Sequence, residues 1–540
     1  MKNNMKRDRV NGFLNVDGQK IVNELGEDII LTGWGLGNWL LQEGYMWKAL
    51  GSKRFDRPRR IETVIEELAG KDYACRFWKA YRQNYITEAD IRFMAELGYN
   101  SVRIPINSRL FMQEGEGIHW IDEGFQLLDQ CINWCETYGI YVFIDLHGAP
   151  GGQTGDNIDD SIDDVPRLFL DQECFDKGIA LWKKLATRYC DRYIVAGYDL
   201  LNEPIRPKRL AEDTDFDYLL PKLKEFYEAA IQEIRKIDKK HLISLEGHHW
   251  ASSKDIFCKK YDDKMIIHFH RYACLPDISS YQEFITLAKE WNCPLWLGET
   301  GENYIEWFTA MYPLAAELGI GYNIWPWKKM DCTNSPCSIN KPKDWDCIIE
   351  YSKGGVHPGY DVARRILNEF LENIKLENCE QLIPVSNAVL RQPGCIIRGT
   401  DFDHYPGKGV SYSGLRIDTN LVRYRYRTGM KIVEQYKDLE KSFGFDCGFK
   451  SFVLELAEDE FAVYSLEDIK DSSTLLIHYI CEKTGVLKVY QDDEILGTFD
   501  LTENSDLQIL SSIKLFESGS AKIKLHVTSG VIKIDSLHTK

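Results

Sequence analysis

No stretch of 18 consecutive apolar residues occurs in this chain, so no membrane-spanning helix is expected. The basic start, MKNNMKRDRVNGFLNVDG, lacks the apolar centre of a secretory leader. A cytoplasmic protein is expected, or a secreted one whose leader has been removed. The 15 cysteines form no CxxC pair, which argues against zinc ribbons and dithiol redox centres. Cys131 and Cys135 sit four apart in an apolar helical pattern and read as packed, reduced thiols. Positive charge is scarce: 66 Lys and Arg against 83 Asp and Glu leave a net −17. Nucleic acid and anionic membranes both need basic patches, so neither is an expected partner, and a neutral substrate fits better. There is no internal repeat, no low-complexity segment and no Ser/Thr/Pro-rich linker. Finally, all 14 tryptophans lie at or before Trp345, leaving the last third without one.

What is present is a soluble, globular composition, 44% hydrophobic and 28% charged, over 540 residues. That length predicts two domains. Over residues 1–378, short apolar runs alternate with helical periodicities. The runs are IILTGWG (29–35), SVRIPI (101–106), YVFIDLH (141–147), YIVAGYDLLNE (193–203), HLISLEG (241–247), KMIIHFH (264–270), PLWLGE (294–299) and GYNIWPW (321–327). Eight strands, each followed by a helix, predict an α/β fold, a (β/α)8 TIM barrel. FLNVDGQKIVNELGED reads as a hairpin covering the barrel floor. Over 386–540 the texture changes to alternating runs such as TLLIHYI and AKIKLHV. This predicts an all-β jelly-roll sandwich, docked on the barrel through the short join LENCEQLIPVSN.

A barrel of this kind places its chemistry at the C-terminal strand ends. Those ends carry Arg103, Asp145 to His147, Asn202 with Glu203, Glu246, His268 to Tyr272, Glu299 and Trp325. The set has carboxylates, imidazoles, an arginine and an aromatic face, but no lysine nucleophile or serine elbow. Glu203 and Glu299 come from strands 4 and 7 and face one another across the mouth. A pair of carboxylates about 5 Å apart suits a retaining glycosidase, with one acid/base and one nucleophile. Burial and the second charge would keep the acid protonated, while Arg103 would keep the nucleophile ionised. Asn202 would bond a sugar hydroxyl, and Trp325 would offer a face to a pyranose ring.

The ordered segments SVRIP, IDLHGAPGGQ, LLNEP, HFHRY, LWLGET and IWPWK resemble glycoside hydrolase family five, the cellulase family. The resemblance covers about 370 residues. GWGLGNWLLQEG and DLHGAPGGQTGDN look most like its exo-β-1,3-glucanase branch. It implies Glu203 as acid/base and Glu299 as nucleophile. It implies a −1 sugar site of Arg103, His147, Asn202, His270, Tyr272 and Trp325, with Glu43 holding the terminal sugar. Asp156 and Asn157 resemble the branch's substrate-binding Asp-Asn pair, one residue early. The expected activity is hydrolysis of β-linked glucosides or oligosaccharides, exo-acting and without cofactor or metal. β-Mannosidase and endo-β-glucanase are the alternatives on the same scaffold.

Other readings attach to the same residues. His268 and His270 form an HxH pair, so a metal-dependent hydrolase completed by Asp145 or His147 is the alternative of another class. Glu302 rivals Glu299 but lies beyond the strand end, where a loop or capping role fits. Glu246 reads as structural pairing. DNIDDSIDDVP (156–166) lacks the EF-hand glycine and final glutamate, and GAPGGQTG lacks a P-loop lysine. The second domain resembles carbohydrate-binding module families six and thirty-five across 388–538. RGTDFD stands where those modules place a calcium-binding glutamate. Without tryptophan, its candidate glycan-stacking residues are Tyr405, Tyr412, Tyr424 and Tyr426. A structural or rim-forming role is the favoured reading.

Overall fold

The computed structural model describes residues 10–416 and 423–540. The N-terminal stretch 1–9 and residues 417–422, part of the module-like segment, lie outside the described residues. Eight parallel strands close a barrel: β1 (Thr32–Gly35), β2 (Ser101–Asn107), β3 (Tyr141–Gly148), β4 (Val195–Asp199), β5 (Leu242–Glu246), β6 (Met265–Arg271), β7 (Leu295–Gly301) and β8 (Gly321–Trp325). Each strand pairs with its chain neighbours, and β8 closes on β1. Nearly every strand residue is buried, because helices cover the outside and side chains fill the inside. Phe143 stacks on Trp296 across that interior, ring centroids 4.2 Å apart.

Three details differ from the strand-then-helix pattern. Three helices, Pro58–Ala69, Lys71–Tyr85 and Glu88–Glu96, separate β1 from β2. A four-residue turn, His248–Ala251, follows β5 in place of a full helix, with His249, Trp250 and Ala251 all at positive φ. Strand β4 stops at Asp199, so Asn202 and Glu203 stand in the turn beyond it. The expected hairpin is present, Asn15–Asp17 paired with Lys20–Val22. It lies on the floor: Tyr141, at the start of β3, donates its hydroxyl to the Gly12 carbonyl at 2.8 Å.

Two glycines are required by close approach. A Cβ on Gly298 would stand 2.0 Å from His268 Nε2, so the LWLGET glycine lets the imidazole lie against the β7 backbone. A Cβ on Gly37 would stand 2.6 Å from the Trp325 ring, which ties GWGLGNW to the seating of that indole.

The chain leaves the barrel through Glu380–Gln381, paired with Cys337–Ile339, and the helix Ile383–Leu390. Beyond it is an all-β domain of antiparallel strands. Two long strands, Thr474–Gln491 and Ser518–Thr539, run through it paired to each other. Ile477, Leu487 and Val489 from one meet Ile523, Leu525 and Val527 from the other in a separate core. Of the four module tyrosines, Tyr424 is fully buried and donates to Asp401, so it presents no face to a glycan. Tyr405 and Tyr426 are exposed, and Tyr412 packs against Phe402. Arg391 joins the domains. Its buried guanidinium donates to Thr309 O of the barrel (2.7 Å) and to Asp403 Oδ1 of the second domain (2.8 Å).

Candidate active site

Arg103, on β2, is the centre of the site and has no exposed surface. Its fork reaches four strands at once. Nε donates to Asp199 Oδ2 (2.8 Å) and Nη1 to Glu299 Oε2 (2.7 Å). Nη2 donates to Asn202 Oδ1 and Glu246 Oε1, both at 2.9 Å, and lies 3.2 Å from Asp145 Oδ2. One cation among four buried carboxylates cannot neutralise them all, so some must hold protons. Burial, followed by the surrounding charges, pushes Glu246 well above the ordinary carboxylate range, and burial does the same to Asp145. Asp199 stays low: burial opposes ionisation, but His268 and Arg103 outweigh it.

Glu299 accepts from Arg103 on one oxygen and from the Tyr272 hydroxyl on the other, at 2.6 Å. Burial would raise its pKa, but His270 and Arg103, with the Tyr272 bond, hold it below the usual value. Glu203 is treated oppositely. Burial is the largest cause and lifts it to about 7; Glu299 and Glu246 add to the rise, and the His270 hydrogen bond opposes it. The two glutamates sit near His270: one oxygen of each and a His270 nitrogen all lie within 4.8 Å of one another.

The backbone of Glu203 explains how it reaches that position. Its φ is +44°, in the left-handed region. Its N–H donates to Glu246 Oε2 at 2.6 Å, and its carbonyl accepts from Thr154 Oγ1 at 2.8 Å. Glu246 thus holds both Arg103 and the turn that carries Glu203. Asn202 is oriented from both ends. Its Oδ1 faces Arg103, so its Nδ2 faces His147 Nε2 at 3.1 Å, and the other amide N–H remains for a hydroxyl. His147 Nδ1 then donates to Asp145 (2.8 Å), and burial takes the imidazole down to about 3, leaving it neutral.

The HxH pair forms a relay. Asp199, held ionised, can only accept, so His268 Nδ1 carries the proton toward it at 3.1 Å. His268 is neutral, its pKa taken to about 3 by burial, so its Nε2 accepts from His270 Nε2 at 3.0 Å. That leaves His270 Nδ1 facing Glu203 Oε1 at 2.7 Å. Glu246, His268 and His270 are close enough to hold an ion, but both His268 nitrogens are already spent on Asp199 and His270.

The remaining candidates lie around this centre. Glu43 is buried, and burial with the nearby Glu299 and Glu302 raises its pKa well above normal. The Trp325 ring lies parallel to His147, centroids 5.3 Å apart, and its Nε1 donates to Tyr45 Oη at 2.9 Å. Glu302 pairs with Lys329 at 2.5 Å, a loop role and not that of a nucleophile. Asp156 is engaged outside the centre, with Arg209 at 2.5 Å, and accepts from the Asn157 N–H at 2.9 Å. Sequence reading passed over Asp199, Gln153, Thr154 and Tyr45. Gln153 Nε2 donates to the carbonyls of His147 (2.7 Å) and Asn202 (2.9 Å), locking two site loops together. Asp199 had a signal: an acid inside an otherwise apolar core strand.

Residues 64–331 match the family model for cellulase, glycosyl hydrolase family 5. A β-xylosidase of Phanerodontia chrysosporium is 32% identical over 240 residues, 44% of this chain and 47% of that protein. A glucan 1,3-β-glucosidase of Candida oleophila is 32% identical over 216 residues, covering 38% and 48%. Endoglucanase C of Acetivibrio thermocellus is 26% identical over 198 residues, covering 36% and 53%. The chain spans about half the length of these curated relatives. Residues 64–331, within the barrel, form a glycosyl hydrolase family 5 domain, that of the cellulase family.

Proposed function

We propose that this protein is a retaining β-glycosidase acting at the non-reducing end of β-linked glucosides or short oligosaccharides. The observation that carries the proposal is the Glu203–Glu299 pair, with oxygens within 4.8 Å and pKa values driven in opposite directions. An inverting enzyme needs about 6.5–9.5 Å between its carboxyls to admit a water. Here Glu299 attacks the anomeric carbon as the bond to the leaving oxygen breaks, and Glu203 gives that oxygen its proton. Water then attacks the same carbon, returns a proton to Glu203 and releases the sugar from Glu299. Arg103 and Tyr272 stabilise the Glu299 carboxylate before it attacks and again as it leaves in the second step. Asn202 and Glu43 hold sugar hydroxyls, and His147 and Trp325 wall the ring. The buried Glu43, close enough to feel the charge of Glu299, is placed to hold a terminal sugar and so supports exo-action, and the relatives' names make glucosides and xylosides the substrates to try first. A neutral oligosaccharide suits the net −17 charge.

Glu299→Ala removes the nucleophile and should lower kcat on aryl β-glycosides by at least about 10^4-fold. Wild-type activity in this variant would overturn the assignment. A metal-dependent hydrolase is the second reading: Glu246, His268 and His270 lie close enough to hold an ion once His268 gives up its bonds to Asp199 and His270. Full activity after EDTA treatment would exclude that reading, and loss restored by a divalent ion would favour it.

A further inference from the structure

The second domain reaches the barrel mouth. Residues 440–450 lie over the loops that follow β6 and β7. Asn303 Nδ2 donates to the Phe445 carbonyl at 3.1 Å, and the Ser442 N–H donates to Tyr304 Oη at 2.7 Å. Cys447 Sγ donates to the Cys274 carbonyl at 3.1 Å. Lys450 pairs with Glu306 at 3.0 Å. This clasp sets the Phe445 ring against Tyr272, centroids 4.9 Å apart and 34° between planes. Tyr272 in turn donates to Glu299. A single aromatic ring therefore separates the nucleophile from a residue of the other domain.

Phe445 remains 41% exposed, although its backbone is fixed. Neighbouring Phe449 is fully buried, so the segment has its own apolar anchor and does not need Phe445 for packing. A held, open aromatic ring beside a catalytic pair is a contact surface. Its position says for what. Trp325, His147 and Glu43 come from the β8, β3 and β1 ends. Phe445 stands at the β6 end, where His270 holds Glu203, the group that meets the leaving oxygen.

Resting on the retaining-glycosidase reading, we infer that Phe445 walls the site of the leaving group and favours β-glycosides with a flat or apolar leaving group. The second domain is then part of the active site. The test compares two substrates of the same sugar, an aryl β-glycoside and the β-glycosyl fluoride. Fluoride is one atom and needs no leaving-group site. Phe445→Ala should lower kcat/KM for the aryl glycoside about tenfold, mainly through KM, and leave the fluoride unchanged. Phe445→Tyr should keep both rates, and because it retains the ring it remains informative if the alanine variant folds poorly. Equal loss on both substrates would overturn the inference and make Phe445 a positioning residue for Tyr272. No loss on either, or loss of aryl activity in Phe445→Tyr, would overturn it too. If wild type cleaves neither substrate, it is the glycosidase reading that fails.

Discussion

At the scale of residues, the two glutamates are alike in sequence and made different by their neighbours. Glu299 has an arginine and a tyrosine on its oxygens; Glu203 has burial and an imidazole. This gives a pH dependence with a definite sign. The acid must be protonated, so kcat/KM should fall as pH rises through about 7, the Glu203 value. The nucleophile must be ionised, so the acidic limb should lie below the ordinary glutamate range. A kcat/KM profile on an aryl β-glycoside checks both limbs; a basic limb beyond pH 9 would reassign the acid. LLNEP and LWLGET point to the proposed pair because each places an acid at the end of an apolar run. The positive φ of Glu203 was not legible, since it depends on Glu246, 43 residues away, accepting its N–H. The partner of Asp156 was not legible either: the motif match gives no sign of its ion pair with Arg209.

At the scale of elements, the barrel strands deliver groups inward in layers, and small residues decide which groups fit. Gly298 is the sharpest case. Gly298→Ala would drive a methyl into His268 and break the relay from Asp199 to Glu203. We expect a stability loss of about 1–3 kcal/mol. We also expect a fall in kcat of at least about tenfold. Thermal unfolding and steady-state kinetics read the two effects, and an unchanged kcat would remove the relay from the mechanism. The eight strands were readable from apolar runs because a parallel sheet is buried on both faces. Their ends were less so. Strand β4 stops four residues before Glu203, because side chains take over from the ladder: the Glu203 N–H goes to a carboxylate in place of a backbone carbonyl.

At the scale of the whole molecule, two cores are joined at Arg391, along residues 440–450 and through Phe449, which packs in the barrel core. Arg391 is buried between Thr309 of the barrel and Asp403 of the second domain. Arg391→Ala removes the bond to Thr309 and leaves Asp403 to Lys522 (2.8 Å) and Ser465 (2.6 Å), and should cost about 1–3 kcal/mol. A drop in the denaturant midpoint measures it, and an unchanged midpoint would mean that Arg391 adds nothing to the junction beyond the contacts of residues 440–450. The change to strands after the barrel was visible in the alternation of the sequence. Docking through Arg391 and residues 440–450 was not, because such contacts follow no local period.

The central claim is the double displacement by Glu299 and Glu203. It is tested most directly by following cleavage of an aryl β-glycoside by proton NMR and reading the anomeric signal of the first sugar released. The account predicts the β-anomer first, followed by slow mutarotation to the mixture. The α-anomer appearing first would contradict it.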